Sequence, residues 1–336
     1  MTAVTAVPDA SAAPAVPVER VRAVGVGVGL WSVGGAAAPT LVVTSTRRVT
    51  DPLPVLETAV ATVGRPVAKV ALAHPAEDMP EVAAEYVFAQ VVDRDGGQVL
   101  DLTPECGHSM LATATHLVAQ GHVPPGRGAL RLLTHRSGTR RVVSCEIRAL
   151  DPVRGIHEAG LSFPLDDLDG AFPLGRQPLS VSVGARRLPV TVVDSGNPYA
   201  FVDATALGLT DGPALLGAPG AVLRDVLRRV RRQLAPRLGM AVSAVLPKPA
   251  LLLRTGDGTL YTRALSTDDW HPGLALTGQV AVATLVAGAV PGDAELAIHH
   301  PGGVATVGLR DRPDGGRALT VTGRRVVRLD PRPLGG

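Results

Sequence analysis

Aromatic residues are scarce in this chain: four Phe, three Tyr and two Trp make up 3% of 336 residues. The core must then be built from Val, Leu and Ala, and stacking platforms for single-stranded nucleic acid are not to be expected. Cysteine is scarcer still, with Cys106 and Cys145 alone. Two thiols at that spacing make neither a disulfide scaffold nor a metal site, so no bridge and no metal are expected, and a reducing cytoplasm is the simplest compartment. One sign of charge hardly dominates: 33 basic against 30 acidic residues give a net charge of +3, which favours anionic partners only weakly. A secretory signal is also lacking, because residues 1–22 are rich in Ala, Pro and Val without a basic start and an uninterrupted apolar run. They read as a flexible leader.

What the chain does have is hydrophobicity, 46% of its residues, and an internal repeat. Cys106-Gly107-His108 opens an apolar run ending at Gly121-His122-Val123-Pro124, and Thr277-Gly278-Gln279 opens another ending at Gly288-Ala289-Val290-Pro291. Ala112-Thr113 and Ala283-Thr284 fall at the same offset of six from the two openings, since 112 − 106 and 283 − 277 are equal. His135-Arg136-Ser137-Gly138 and His300-Pro301-Gly302-Gly303 follow as a weaker echo. Repeats outrank local motifs as guides to organisation, and the length fits two domains. The segment from Gly273 to Gly292 is uncharged, which formally suffices for a membrane span. Its Gly, Thr and Gln content favours a helix buried inside the protein instead. No membrane partner is expected.

Val-rich strands are predicted over 23–30, 40–44, 67–73, 86–93, 129–135, 141–148, 179–183, 188–193, 250–254, 294–299, 304–309 and 318–327. A helix is predicted over 221–238, with a solvated basic face rather than a nucleic-acid patch. The glycines of Gly25-Val26-Gly27-Val28-Gly29 read as part of a strand and turn, because no amphipathic helix follows them as a dinucleotide fingerprint requires. The fold class is α+β with two pseudo-symmetric lobes, 23–184 and 185–327, each a barrel-like sheet around a central apolar helix, followed by a tail over 328–336. The boundary is placed near Gly184 to Leu188.

Cys106 stands just before the first apolar run, where helix N–H groups and the macrodipole stabilise an anion. The Gly107 and His108 N–H groups, and those of Gly278 and Gln279 in the second copy, could converge on a carboxylate.

Lys69-Val70-Ala71-Leu72, Tyr86-Val87-Phe88-Ala89-Gln90-Val91, Cys106-Gly107, Asp194-Ser195-Gly196-Asn197-Pro198, Pro247-Lys248-Pro249, Leu276-Thr277-Gly278 and His300-Pro301-Gly302-Gly303 occur in that order. Together, over about residues 60–327, they resemble the methylaconitate cis-trans isomerase (PrpF) family. The resemblance implies a diaminopimelate epimerase-like fold with the active site between two lobes. It also implies Cys106 and Lys69 as an acid/base pair moving a proton on an unsaturated carboxylate without a cofactor. Asn197, Thr277 and the two helix starts would hold the substrate. The family's Gly-Gly-Thr-Ser-Lys-Gly loop has a remnant in Val42-Val43-Thr44-Ser45-Thr46-Arg47, which makes Ser45 a binding candidate. His108 stands where Asn is usual, and Tyr199 where a small residue or Cys is common. The remaining histidines, His299 and His300 among them, read as structural. Because epimerase relatives carry a second cysteine where Thr277 stands, isomerisation fits better than two-thiol racemisation. The same cleft adapted to a cyclisation or rearrangement, and a non-catalytic binding protein, remain as alternatives. The expected partner is a small carboxylate, with a homodimer left open.

Overall fold

The protein is described by a computed structural model that covers residues 5–7, 27–79, 81–94, 97–122, 130–136, 139–217, 220–243, 245–312 and 316–329. The rest of the leader and the tail beyond 329, together with the expected repeat ends at Val123-Pro124 and Ser137-Gly138, lie outside the described residues. Contacts divide the chain into two compact units, Met1–Phe163 with Thr322–Gly336, and Pro164–Val321. The Gly184 turn signal belongs to a hairpin inside the second unit, with Gly184 at φ +61° between paired Val183 and Arg186.

The first unit holds the strands β1 (Thr5–Val7), β2 (Gly27–Val33), β3 (Thr40–Thr44), β4 (Lys69–His74), β5 (Ala84–Arg94), β6 (Gly97–Asp101), β7 (Leu130–Arg136), β8 (Thr139–Asp151) and β9 (Ile156–Leu165). The final strand, β17 (Arg317–Arg328), ends here. It pairs with both β2 and β9, and so closes β2, β3, β4, β5, β7, β8, β9 and β17 into a ring of 8 strands. Two helices serve the ring on opposite faces. Strand residues alternate sides: Leu41, Val43, Val70 and Leu72 point outward and pack with Leu56, Ala59 and Val60 of α1 (Leu53–Thr62). The other set faces α2 (Gly107–Ala119), which touches β2, β3, β4, β5, β7 and β8. Gly107 to Leu117 are buried without interruption. An apolar helix enclosed by strands is thus what the first run forms.

The second unit runs β10 (Leu179–Val183), β11 (Arg186–Asp194), β12 (Pro198–Asp203), β13 (Lys248–Arg254), β14 (Leu260–Ala264), β15 (Ala294–His300), β16 (Gly303–Asp311) and the start of β17, paired in that order. Short helix α3 (Gly212–Leu216) and α4 (Ala221–Arg237) lie between β12 and β13, and α5 (Leu276–Ala287) between β14 and β15. Pairing is parallel at β12–β13 and β14–β15, as it is at β3–β4 and β5–β7 in the first unit. Parallel neighbours need a crossover; in each unit the first crossover carries an outer helix and the second a buried one. The sequence repeat is therefore a repeat of topology.

The helix expected over 221–238 is α4, whose Leu227, Val230 and Leu234 enter the core. Its basic face is not uniformly solvated. Arg231 is only 2% exposed and donates to the Pro247 and Ser266 carbonyls, while Arg224 and Arg228 pair with Asp269 and Asp268. Burial pulls the Arg231 guanidinium down to about 10, against the opposing effect of Asp268. Three arginines at i, i+4 and i+7 thus fasten the 266–269 loop to the helix. Among the described residues, no helix is long and apolar enough to cross a membrane.

Candidate active site

Cys106 is the residue that precedes the first turn of α2, with extended backbone (φ −139°, ψ 104°) and an intermediate exposure. Its carbonyl accepts the Met110 N–H at 2.9 Å and the Tyr86 hydroxyl at 3.2 Å. Burial, then the neighbouring Cys106 and Glu105 charges, hold the Tyr86 phenol well above its ordinary range, so it stays a donor. One turn on, Ser109 Oγ lies 2.8 Å from Thr40 Oγ1. Tyr86 on β5 and Thr40 on β3 therefore clamp the helix start on two sides. The Gly107 N–H has no intrahelical acceptor at this position, and the helix dipole places partial positive charge beside the thiol.

Lys69 begins β4 and is 9% exposed. Leu41 pairs with Val70 in parallel register, so Lys69 stands beside Thr40, at the barrel end where α2 begins. Its parity with Ala71 and Ala73 turns it toward the helix face, since Val70 and Leu72 pack on α1. The structure thus brings Lys69, Cys106, Gly107 and His108 to one end of the first unit.

Ser45 is placed elsewhere. It follows the other end of β3, five residues from Thr40 and so roughly 17 Å along the strand, where its hydroxyl donates to the Arg47 carbonyl at 2.7 Å and accepts the Arg47 N–H at 3.1 Å. The loop that does approach the helix start is Gly34-Gly35, between β2 and β3. A Cβ on Gly35 would lie 3.6 Å from His108 Nε2 and 3.4 Å from Arg324 Nη1. Sequence reasoning missed this loop, Arg324, Tyr86 and Ser109. The Gly-Gly pair at a strand end was the available signal.

The second unit assembles its candidates around the start of α5. Asn197 Nδ2 donates to Thr277 Oγ1 at 3.1 Å, and Gln279 Nε2 donates to the Leu274 carbonyl at 3.0 Å. The Gly278 and Gln279 N–H groups, expected as ligand donors, both bond the Ala275 carbonyl, at 2.8 and 3.0 Å. The helix begins one residue before Thr277, so the donors at its mouth are the N–H groups of Leu276 and Thr277. Gly278 is also a close approach: a Cβ there would sit 2.8 Å from Tyr199 Oη. Tyr199 stacks on Phe201 and carries Lys248 Nζ 5.9 Å from its ring centroid.

Among the described residues, no three His, Cys, Asp or Glu side chains gather as a metal site. Of the histidines read as structural, His299 lies tilted against the Tyr261 ring with centroids 4.8 Å apart, and His300 Nδ1 accepts the Gly302 N–H.

No family model matches the chain. By sequence it is 23% identical over 258 residues to the Bacillus subtilis isomerase candidate YraM, covering 66% of this chain and 69% of that protein. By structure it is similar to methylitaconate-delta-isomerase, at 19% identity and a TM-score of 0.62, over 91% of this chain and 94% of that one. A hydroxyproline epimerase from Agrobacterium vitis, with trans-4-hydroxy-L-proline bound, gives 18% identity and a TM-score of 0.58 over 92% and 94%. The chain therefore has the fold that methylitaconate-delta-isomerase and hydroxyproline epimerase share.

Proposed function

We propose that this protein is an isomerase that shifts a proton between carbons of an unsaturated carboxylate, with Cys106 and Lys69 as the acid/base pair and no cofactor. The observation that carries the reading is Cys106 itself: a partly exposed thiol at the start of a buried helix, on a residue whose carbonyl Tyr86 holds, accompanied by a buried lysine at the same barrel end. A helix start lowers the cost of a thiolate and of a bound carboxylate alike. Proton removal next to a carboxylate needs a positioned base and donors for the enolate-like charge, and this end of the unit offers both. The name of methylitaconate-delta-isomerase describes a reaction of this class, and the isomerase candidate YraM points the same way.

Two-thiol racemisation is disfavoured by the second unit. Thr277 stands at the position homologous to Cys106 in the repeat, is 1% exposed and takes the Asn197 amide. Asn197 and Thr277 at the α5 start offer an amide and a hydroxyl, and no thiol that could serve as a second base. The test is turnover of unsaturated di- and tricarboxylates, followed as exchange of methylene protons for deuterium. Cys106→Ser and Lys69→Ala are each expected to lose about 100- to 10,000-fold in rate while still melting cooperatively. Undiminished exchange in both folded variants would overturn the assignment.

A further inference from the structure

Helix α1 covers the outward side of β3 and β4 and stops at Thr62. Past its end the outer apolar layer of the first unit lies open, and a cavity of about 350 Å³ is sunk into it, a volume that suits a small molecule. Its floor is aliphatic. Leu30, Val67 and Val91 are buried members of the layer that packs on α1, and Leu329 joins them. The Leu329 N–H donates to the Leu30 carbonyl at 2.8 Å, yet its side chain remains 41% exposed. An uncovered leucine beside a concave apolar floor marks a surface that takes a ligand.

Two charges stand on the rim of this floor. Val91 N–H donates to the Ala68 carbonyl at 3.0 Å, which lays the segment leading into β4 alongside the end of β5, and Arg65 and Asp93 both line the cavity there. Both are exposed, and among the described residues neither side chain is held by a hydrogen bond or an ion pair. Opposite charges over one aliphatic floor sort ligands by charge pattern. A simple fatty acid suits Arg65 but brings its carboxylate against Asp93, and an alkylamine has the converse fault. An aliphatic α-amino acid satisfies both: its carboxylate accepts from the Arg65 guanidinium, its ammonium donates to Asp93, and its side chain lies on the four aliphatic residues.

The cavity also backs onto the Cys106 end of the barrel. Pro39 and Ala68 line it, while the next residue of each strand, Thr40 and Lys69, faces the other way, toward α2. Thr40 in turn holds Ser109 in the first turn of that helix. A ligand in the cavity therefore bears on the starts of both strands that carry the candidate site.

We propose that this cavity binds an aliphatic α-amino acid as an effector, and that its occupancy is felt at Cys106 through the starts of β3 and β4. The site goes beyond the isomerase reading and does not depend on it.

Calorimetric titration of the full-length protein with L-leucine tests the cavity, with isocaproate and isoamylamine as ligands that keep only one of the two charges. Leucine is expected to bind at millimolar concentration or below, and each single-charge ligand about 10-fold or more weakly than leucine. Arg65→Gln and Asp93→Asn are surface changes that leave the fold intact, and each is expected to weaken leucine about 10-fold. A wild type that binds no leucine at millimolar concentration would overturn the site, as would single-charge ligands that bind as tightly as leucine. Binding that is undiminished in both variants would place the amino acid elsewhere and overturn it too. The rate of Cys106 alkylation reads the coupling. Leucine at a few times its wild-type Kd is expected to change that rate about 5-fold, and to leave it unchanged in the Arg65→Gln/Asp93→Asn double variant. An unchanged rate in the wild type would overturn the effector role, and an equal change in the double variant would overturn the route through the cavity.

Discussion

At the scale of single residues, the two cysteines show how far environment outranks identity. Cys145 is fully buried on β8, and burial pushes its thiol far above the ordinary range, whereas Cys106 opens a helix and is partly exposed. Thiol titration of the native protein is expected to count one reactive group, lost in Cys106→Ser, and two after urea; two fast groups in the native state would contradict the burial of Cys145. Gly278 offers a second test. A Cβ there would meet Tyr199 Oη and Leu274 Cδ1, both at 2.8 Å, so Gly278→Ala is expected to cost about 1–3 kcal/mol in urea unfolding. An unchanged midpoint would show that the Tyr199 ring can move aside. Cys106 was legible in the sequence because a thiol before an apolar run has a definite meaning. Arg324 was not, because nothing local distinguishes it from Arg325, and only the β17–β2 pairing carries it to Gly35.

At the scale of elements, strands with strong apolar character were legible almost to the residue: β3 and β10 lie where 40–44 and 179–183 were predicted. The sequence reading missed β1, β6, β9, β12 and β14, and two of these have a plain physical reason. β12 (Pro198–Asp203) begins with proline and sits inside the Asn197-Pro198 motif, and β9 mixes His, Glu, Ser and Pro among its apolar positions. α1 starts after Asp51-Pro52, and its pattern is too apolar to separate from strand. The glycines of β2, read as part of a strand, have a use only the fold reveals. A Cβ on Gly29 would lie 2.8 Å from both His116 Nδ1 and Trp31 Nε1, so glycine admits the imidazole of α2 into the barrel, where Trp31 Nε1 donates to it at 3.1 Å. His116 is fully buried; burial first, then the Arg328 charge, push its pKa down to about 3. The unfolded chain takes up this proton near the ordinary value of about 6.5 while the folded one refuses it. Stability is then complete above about 6.5 and falls as the pH drops toward 3, by about 1.4 kcal/mol per pH unit for one proton. His116→Gln is expected to lose that share of the slope in urea melts between pH 6.5 and 4; an identical slope would mean that other groups, such as His157, whose pKa burial also lowers, carry it.

At the scale of the whole molecule, the repeat foretold the doubled topology but not how the chain closes it. The last strand belongs to both units: Arg317 to Thr320 pair with β16, and Val326 to Arg328 pair with β2. The first barrel therefore depends on the far end of the sequence, with a loop-closure cost over nearly the whole chain that no local pattern records. Removing residues 322–336 takes away the strand that joins β2 to β9, the Arg328 N–H bond to the Gly155 carbonyl at 3.0 Å and the guanidinium 5.9 Å over the Trp31 ring. Two edges then replace a closed ladder, and edge amides open locally. Hydrogen exchange is expected to show β2 and β9 losing most of their protection, while β11, β12 and β13, whose partners all lie within 164–321, keep theirs within a few-fold. The α2 start should loosen with the first set, since Gly34 hangs from Arg325, so Cys106 would also alkylate faster. Uniform loss across both sets would mean that the two units fold as one cooperative body; protection retained in β2 would mean that the barrel does not need its last strand.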